Sequence, residues 1–202
     1  MPRLFAENGR LLDSQGRITL DTPEALRALE NYRETYSYSD RTIYDFWKNA
    51  LEGFADGTAA MTVVFINYAS HILNSQMSRI AGKLGFAPVP GGKPLLGGGV
   101  IGIAQSCTCP AAACKFLEWL YADLVAPVFT MLGGLSPCRS AYSNRDISEQ
   151  YPWLSTARKS FPTAQRRSNS TYYQNFSELQ LETILAAHVQ QAVLGVCSPE
   201  EA

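Results

Sequence analysis

The sequence predicts an α/β fold in which layers of helices and strands alternate. Segments with apolar residues at helical spacing alternate along the chain with short, unbroken apolar runs that are rich in β-branched residues. The composition is that of a globular protein, with 46% hydrophobic and 17% charged residues in a chain of 202. A chain of this length can bury a sizeable core, either as one large domain or as two smaller lobes.

The first part of the chain predicts a turn-rich entry and one helix. Residues 1–20 carry the turn signals ENG and SQG around short apolar pairs, which suits a hairpin or a loop. The stretch LDTPEALRALENYRETY then predicts a helix, with Asp21 or Thr22 as its cap and Pro23 in its first turn. The positions near helical spacing are Leu26, Leu29, Tyr32 and Tyr36.

A helix, a strand and a further helix are expected next. The second helix is predicted over 42–55, with Gly57 as a left-handed stop. The apolar run Met61–Ile66 is too short for a helix and predicts a buried strand. A helix over 68–82 then returns the chain. The inner stripe of the second helix is predicted to contain Ile43, Phe46 or Trp47, Ala50 and Phe54.

The middle of the chain predicts an extended link, a second strand and more helices. Residues 85–90, GFAPVP, are extended because a residue before proline is pushed out of the helical region. A strand is expected at 100–104 and a helix at 110–124, followed by short polar helices over 144–161. The inward positions of the helix at 110–124 are predicted to be Cys114, Leu117 and Leu120.

The last long helix is predicted over 176–194, with Gly195 ending it. Its inward positions are predicted to be Leu181, Ile184, Leu185, His188 and Ala192. The following SPEE at 198–201 reads as an N-cap serine, a first-turn proline and an N3 glutamate. Because a helix of four residues is not stable alone, we expect the chain to be a piece of a longer protein.

The charge pattern argues against a nucleic-acid partner. The net charge is −1 and the isoelectric point is near 6.1, and the basic residues are scattered apart from Arg166 and Arg167. No apolar run approaches the roughly 20 residues that cross a bilayer. The start MPRLFAENGR lacks the apolar core of a signal peptide, which indicates a soluble protein unless the natural N-terminus is missing.

The sequence offers little for catalysis or metal binding. Five cysteines are an odd number for a disulfide framework, and their spacing lacks the second ligand pair of a zinc site. We expect a structural or incidental role for most of them, with a redox or metal role as the alternative. His71 and His188 both fall in predicted helices, and the segment LGGGVIG departs from the dinucleotide and phosphate-binding patterns.

We therefore predict no catalytic residue, no cofactor and no metal. A cysteine nucleophile at Cys107, Cys109 or Cys138 remains an alternative, although no base is supplied locally.

Aromatic residues are frequent at predicted helix starts, strand ends and loops. A sugar site needs flat aromatic rings for the C–H faces and amides, carboxylates or arginine for the hydroxyls. This sequence supplies both, although any one of these rings can equally belong to a core. The residues concerned are Trp47, Phe65, Tyr68, Tyr142, Trp153, Tyr172 and Tyr173.

The order of the motifs resembles the extracellular solute-binding proteins of ATP-driven sugar importers, the family that includes the maltodextrin-binding proteins. The resemblance lies in GRITLDTPEALRALENY (16–32), ALEGFADGTAAMTV (50–63), GFAPVPGG (85–92), LGGGVIGIAQS (96–106), AAACKFLEWLY (111–121), LGGLSPCRSAY (132–142) and LGVCSPEEA (194–202). It implies a partial type II periplasmic-binding-protein fold, matching the C-terminal half of a family member with segments of both lobes.

The resemblance also implies a division of the chain between the two lobes. Residues 1–84 would belong to the second lobe, 85–134 to the first, and 135–202 would return to the second. The segments APVPGG and LGGLSP would be the crossings, and both have the glycine and proline composition of hinges.

In similar proteins the strand after AAMT ends at the ligand cleft, often in a Gly-Pro-Trp segment whose tryptophan stacks on the sugar. Here that segment is FIN, with Asn67 at the place of the tryptophan, so Phe65 or Tyr68 would supply the ring. The other positions that resemble ligand contacts are Trp47, Gly98 and Gly99 of the GGG run, Arg139 after the second crossing, and Tyr172 with Tyr173 before the last helix.

The function implied is that of the substrate-binding component of an ABC transporter. It would capture a sugar or oligosaccharide between the lobes and deliver it to the permease subunits in the membrane. The full-length protein would be periplasmic or a cell-surface lipoprotein, touching the membrane only through a lipid anchor or the permease. The alternatives are a stand-alone, oligomeric α/β interaction or regulatory domain without catalysis and, third, an enzyme.

Overall fold

A computed structural model of the chain describes residues 1–39, 48–167 and 178–202, without the side chains of residues 48, 178 and 179. The chain divides into two compact units. Unit 1 comprises Met1–Arg41, Val89–Gly97 and Thr163–Ala202, and unit 2 comprises Thr42–Pro88 and Gly98–Pro162. These boundaries differ from those of the predicted segments 1–84, 85–134 and 135–202, whose assignment to family lobes stays a prediction.

The described residues are rich in helix. In chain order the helices are α1 (Pro2–Ala6), α2 (Pro23–Tyr36), α3 (Lys48–Ala55), α4 (Ala69–Leu73), α5 (Pro110–Leu120), α6 (Val125–Met131), α7 (Ser140–Ser143), α8 (Arg145–Gln150), α9 (Pro152–Ser160) and α10 (Glu178–Leu194). Single 3-10 turns occur at Ile66–Tyr68, Pro90–Gly92 and Phe161–Thr163. Among these residues the β pairing consists of two isolated bridges, Leu12 with Ile18 and Leu95 with Gln165.

Unit 1 begins with a helix that the sequence did not predict, α1, and continues into the predicted hairpin-like turn. The Asp13 carboxylate accepts hydrogen bonds from the backbone N–H groups of Gln15 and Arg17 at 2.8 and 2.9 Å. This turn positions Leu11 and Leu12, which are buried together with Leu181 of α10. The core of unit 1 therefore joins the first residues to the last long helix.

Helix α2 confirms the predicted cap. The Thr22 hydroxyl accepts a hydrogen bond from the backbone N–H of Ala25 at 3.3 Å, and Pro23 occupies the first turn. Leu26 and Leu29 are half-buried, but the predicted inward position Tyr32 is exposed, and the Arg3 guanidinium lies 4.8 Å from its ring centroid.

Unit 2 is organised around the tryptophan of α9. Trp153 and Leu154 are almost fully buried and are packed with Tyr142 of α7, and the other members of the core are Ala69, Ala126, Ala141 and Ala157. Four alanines in this core let the helices approach closely around the one large indole. The predicted short helices of 144–161 are confirmed as α8 and α9.

The two buried strands predicted at 61–66 and 100–104 are corrected by the structure. Residues 61–65 and 96–104 carry no strand assignment, and Met61 and Val100 are 87% and 101% exposed. A strand is stabilised by hydrogen bonds to a neighbouring strand and by packing of its faces, and neither is supplied by the described residues. Each of these runs is apolar and rich in β-branched residues, but a local pattern does not specify the neighbouring strand with which it would pair.

The helix predicted over 68–82 is also wrong in length, because α4 ends at Leu73. Asn74 is extended, and its side-chain oxygen accepts a hydrogen bond from the Gln76 N–H at 2.9 Å. Asparagine offers the backbone this local turn as an alternative to the helix, which accounts for the early end.

The predicted helix over 110–124 ends earlier, at Leu120, and α6 was not predicted. Pro127 lies within α6. It is tolerated because it lies in the first turn, where the backbone N–H groups have no partner within the helix.

Several predicted inward positions are corrected. Cys114, Ile184 and His188 are exposed, whereas Leu120, Leu181 and Ala192 are buried as predicted. In α3 the stripe is shifted, since Leu51 and Ala55 are buried, with the predicted Ala50 and Phe54 half-buried. The predicted positions Ile43, Phe46 and Trp47 lie outside the described residues. The predicted stops Gly57 and Gly195 have positive φ angles of 81° and 75°.

Candidate functional site

The predicted ligand residues at 65–68 form one tight turn. Phe65 is extended (φ −65°, ψ 143°), and its carbonyl oxygen accepts a hydrogen bond from the Tyr68 N–H at 3.0 Å. Helix α4 follows directly and is anchored by its buried residues Ala69 and Ile72. Phe65 is 53% exposed, while Asn67 and Tyr68 are half-buried. The turn thus places Phe65, Asn67 and Tyr68 within four consecutive residues of unit 2, next to the anchored helix α4.

The chain after α6 packs against this turn at Gly133. Its φ angle is 96°, and a Cβ atom added there would lie 2.2 Å from the Ser70 Oγ and 3.5 Å from the Asn67 carbonyl oxygen. The Ser70 hydroxyl in turn donates a hydrogen bond to that carbonyl at 3.3 Å. Only glycine fits both the angle and the contact. The sequence identified LGGLSP as a hinge candidate but contains no local signal for this packing.

Arg139 lies at the start of α7, on the same stretch of chain. Its carbonyl oxygen accepts hydrogen bonds from the Tyr142 N–H at 3.0 Å and the Ser143 hydroxyl at 2.9 Å. The Arg139 side chain is exposed and forms no ion pair with another described residue. The main chain of Arg139 is therefore fixed by these hydrogen bonds, and its side chain is exposed to solvent.

A buried polar network fixes the backbone that carries Arg139. The Tyr142 hydroxyl donates to the Ser136 carbonyl oxygen at 2.9 Å, and the Ser136 hydroxyl accepts from the Cys138 N–H at 3.1 Å. The Thr130 hydroxyl donates to the Ala126 carbonyl at 2.9 Å. Burial raises the pKa of Tyr142 above its ordinary value, and hydrogen bonds to Thr130 and Ser136 oppose that rise. Tyr142 was considered for a sugar site from the sequence, but its ring is buried and supports this backbone, whereas Thr130 and Ser136 were not singled out.

Gly98 and Gly99 of the GGG run have open space around them among the described residues. No atom would lie within 4 Å of a Cβ added at either position. Both residues are exposed. Their predicted contact with a ligand remains untested. Trp47, Tyr172 and Tyr173 lie outside the described residues.

Two hollows in the described part of the chain lie away from these residues. A shallow groove of about 550 Å³ in unit 1 is lined by Glu30, Arg33, Glu34, Ser198, Pro199 and Glu200. A second hollow of about 10 Å³ is lined by Phe5, Arg10, Leu12, Gln165, Arg166 and Arg167. Neither is lined by a predicted ligand residue. Beside the groove, Ser198 and Glu201 exchange the reciprocal hydrogen bonds of the predicted capping box, at 2.9 and 3.3 Å.

The cysteines and histidines are not assembled into a cluster. All five thiols are free, and Cys138 donates to the Tyr121 carbonyl oxygen at 3.5 Å. Where the structure describes side chains, no group of three or more His, Cys, Asp or Glu residues could hold a metal ion. Within the same residues, none of the helices combines the length and the apolar character that a bilayer-spanning segment needs.

The sequence matches the family model described as bacterial extracellular solute-binding protein over residues 4–156. The fold is similar to that of maltose-bound T. maritima MalE3, with a TM-score of 0.80 and 23% identity over 98% of this chain and 52% of that chain. It is also similar to an ABC transporter solute-binding protein from Agrobacterium radiobacter K84 in complex with ribitol, with a TM-score of 0.69 and 22% identity over the same shares.

These likenesses confirm the predicted fold class, because both matched structures are type II periplasmic binding proteins. The chain spans about half the length of each.

Proposed function

The chain belongs to the family of bacterial extracellular solute-binding proteins, and on this premise we propose that it is the substrate-binding component of an ABC transporter for sugars. It captures a sugar or oligosaccharide between two lobes and delivers it to the permease subunits. The observation that carries this proposal is the family match over residues 4–156 together with the near-complete coverage of the chain by a maltose-bound structure. A stand-alone interaction or regulatory domain is not favoured by these matches.

The ligand class follows from the two matched structures. One is bound to maltose and the other is in complex with ribitol, and both compounds present several hydroxyl groups on an apolar carbon frame. Such a ligand is held by aromatic faces together with amide, hydroxyl and guanidinium groups. We assign these roles to the Phe65 ring, the Asn67 amide, the Tyr68 phenol and the Arg139 guanidinium. From the resemblance to the family, we assign further ligand contacts to Trp47, Gly98, Gly99, Tyr172 and Tyr173.

The mechanism is binding without chemical change. The aromatic rings remove water from the sugar faces and the polar groups fix the hydroxyls. Because only the closed form contacts the ligand from both lobes, binding shifts an open–closed equilibrium toward the form that the permease receives. Residues 1–84 and 135–202 are assigned to the second lobe and 85–134 to the first. The positive φ angles of Gly91, Gly92 and Gly133 support a hinge role for the two crossings.

The location is outside the cytoplasm, as the family description indicates. Contact with the membrane is made through the permease or through a lipid anchor of the full-length protein. No nucleic acid and no cofactor take part in this function.

Calorimetric titration tests the proposal directly. The 202-residue chain and the protein expressed from its complete reading frame are titrated with maltose, ribitol and a panel of monosaccharides and oligosaccharides. We expect micromolar affinity for at least one sugar in the second protein. Weak or undetectable binding is expected in the chain alone, which covers about half of the matched fold. Failure of both proteins to bind any sugar contradicts the proposal.

A further inference from the structure

The smaller hollow of unit 1 is lined by buried apolar residues and by arginines. Phe5 and Leu12 are 4% and 3% exposed, whereas Arg10 and Arg166 are exposed and Arg167 is half-buried. The volume of about 10 Å³ is room for one water-sized atom. A larger guest would therefore place a single atom in the hollow and the rest of its atoms against the arginines.

The backbone on both sides of this hollow is fixed by hydrogen bonds. The Arg10 carbonyl oxygen accepts a hydrogen bond from the Thr19 hydroxyl at 2.9 Å. The Gln165 N–H donates to the Pro94 carbonyl oxygen at 2.8 Å, and the Gln165 carbonyl oxygen accepts from the Leu96 N–H at 2.7 Å. The two arginines that follow Gln165 thus extend from an anchored residue. Less backbone freedom is lost when such groups bind a ligand than when they lie on a loose loop.

The hollow carries an excess of positive charge. Arg167 forms an ion pair with Glu182 of α10, but Arg10 and Arg166 form no ion pair with the side chains that the structure describes. None of the described residues that line the hollow is acidic. Three guanidinium groups and one carboxylate leave two positive charges without a counter-charge among these residues. Guanidinium groups that share one hollow repel each other, and a bound anion offsets that repulsion.

We propose that this hollow binds a small oxyanion of the phosphate type, with one oxygen in the hollow and the others on the guanidinium groups of Arg10, Arg166 and Arg167. The forked N–H donors of arginine match the oxygen atoms of phosphate in geometry and charge. The buried apolar residues next to the hollow exclude water and strengthen this attraction. The anion connects the turn that follows α1 to the segment 165–167, so its binding stabilises unit 1. The proposal does not depend on which ligand the protein carries.

Calorimetric titration of the 202-residue chain with sodium phosphate tests this proposal. The total ionic strength is held constant with sodium chloride, so that general screening of charge does not change during the titration. We expect one phosphate per chain with a Kd of about 1 mM or tighter. The Tm should rise with the phosphate concentration, as it does for any ligand that binds only the folded state. The absence of binding above the chloride background overturns the proposal.

Three variants make the test specific. Arg10→Gln and Arg166→Gln each remove one guanidinium group from an exposed position, and each should weaken phosphate binding about tenfold or more. Arg158→Gln is the control, because Arg158 is an exposed arginine of α9 in unit 2 and its loss changes the net charge equally. Circular dichroism checks that all three are folded. Equal affinities in the three variants overturn the proposal, and sugar titration is independent of these outcomes.

Discussion

The Tyr142 hydroxyl donates a hydrogen bond to the Ser136 carbonyl oxygen at 2.9 Å, inside the core of unit 2. Tyr142 is 5% exposed and Ser136 is 4% exposed, so neither group can exchange this partner for water without opening the core. The bond connects α7 to the chain that leaves α6, and it fixes the backbone on which Arg139 is presented.

Removing this hydroxyl should destabilise the protein. Tyr142→Phe leaves the Ser136 carbonyl oxygen buried without its donor, and we expect a loss of about 1–3 kcal/mol in the free energy of unfolding. Urea denaturation followed by circular dichroism measures it. Tyr38→Phe is the control, because Tyr38 is 85% exposed and the change should stay within about 0.5 kcal/mol. Equal effects in the two variants would contradict the role given to this bond.

The same phenol predicts a pH dependence at high pH. Burial raises the pKa of Tyr142 in the folded protein above its ordinary value of 10.0, so the folded state holds the proton more tightly than the unfolded state. The stability due to this group is complete below pH 10 and falls as the pH rises between the unfolded and folded pKa values. The wild type should therefore lose stability relative to Tyr142→Phe above pH 10. An unchanged difference between the two proteins up to pH 11 would refute this.

The parts of the fold that follow from local signals were predictable from the sequence. Helix α2 has its cap, first-turn proline and apolar spacing in adjacent residues, and the capping box of Ser198 and Glu201 forms as predicted. The strands at 61–66 and 100–104 were not realised, because their stability depends on partners that no local pattern specifies. Local pattern therefore predicted the capped helix and the capping box, but not the tertiary contacts on which strands depend.

In the candidate site, too, the features that follow from local sequence were predictable and those that arise from tertiary packing were not. The turn at 65–68 follows from a short apolar run that stops at an amide, and the sequence identified its residues. The contact of Gly133 with Ser70 and the bond of Tyr142 to Ser136 arise from tertiary packing, so no spacing rule could identify them. The sequence also does not distinguish a core aromatic residue from one that binds a ligand. Trp153 was considered for sugar stacking, but it is 1% exposed and belongs to the core.

Substituting that core tryptophan should be far more damaging than substituting an exposed one. Trp153→Ala leaves a large cavity among small residues, and we expect a loss of about 3–5 kcal/mol, enough to unfold a marginally stable domain. Trp119→Ala is the matched control, since Trp119 is 56% exposed. Thermal unfolding monitored by circular dichroism compares the two. A fall in Tm for Trp153→Ala no larger than that for Trp119→Ala would contradict the burial of Trp153.

Gly133 offers a test of the contact between the chain that follows α6 and the segment at 67–70. Gly133→Ala combines a positive φ angle with a clash at the Ser70 Oγ, whereas Gly82→Ala has a φ angle of 80° and open space around the new Cβ. The strain of the angle, about 1–2 kcal/mol, is common to both variants. We expect Gly133→Ala to lose at least about 1 kcal/mol more in urea denaturation, because the packed turn must move. Equal losses would mean that Gly133 is not packed on Ser70.

The ligand role of the 65–68 turn is the last prediction. Phe65→Ala removes the exposed ring, and we expect the affinity for the proposed sugar ligand, measured in the complete protein, to fall about tenfold or more, while the Tm stays nearly constant. Phe116→Ala is a close control, since Phe116 is 55% exposed against 53% for Phe65, and it belongs to α5 rather than to the turn. Calorimetric titration measures both variants. Because the two rings are similarly exposed, a specific loss of affinity in Phe65→Ala can be assigned to stacking on the ligand. Equal affinities in the two variants would remove Phe65 from the site.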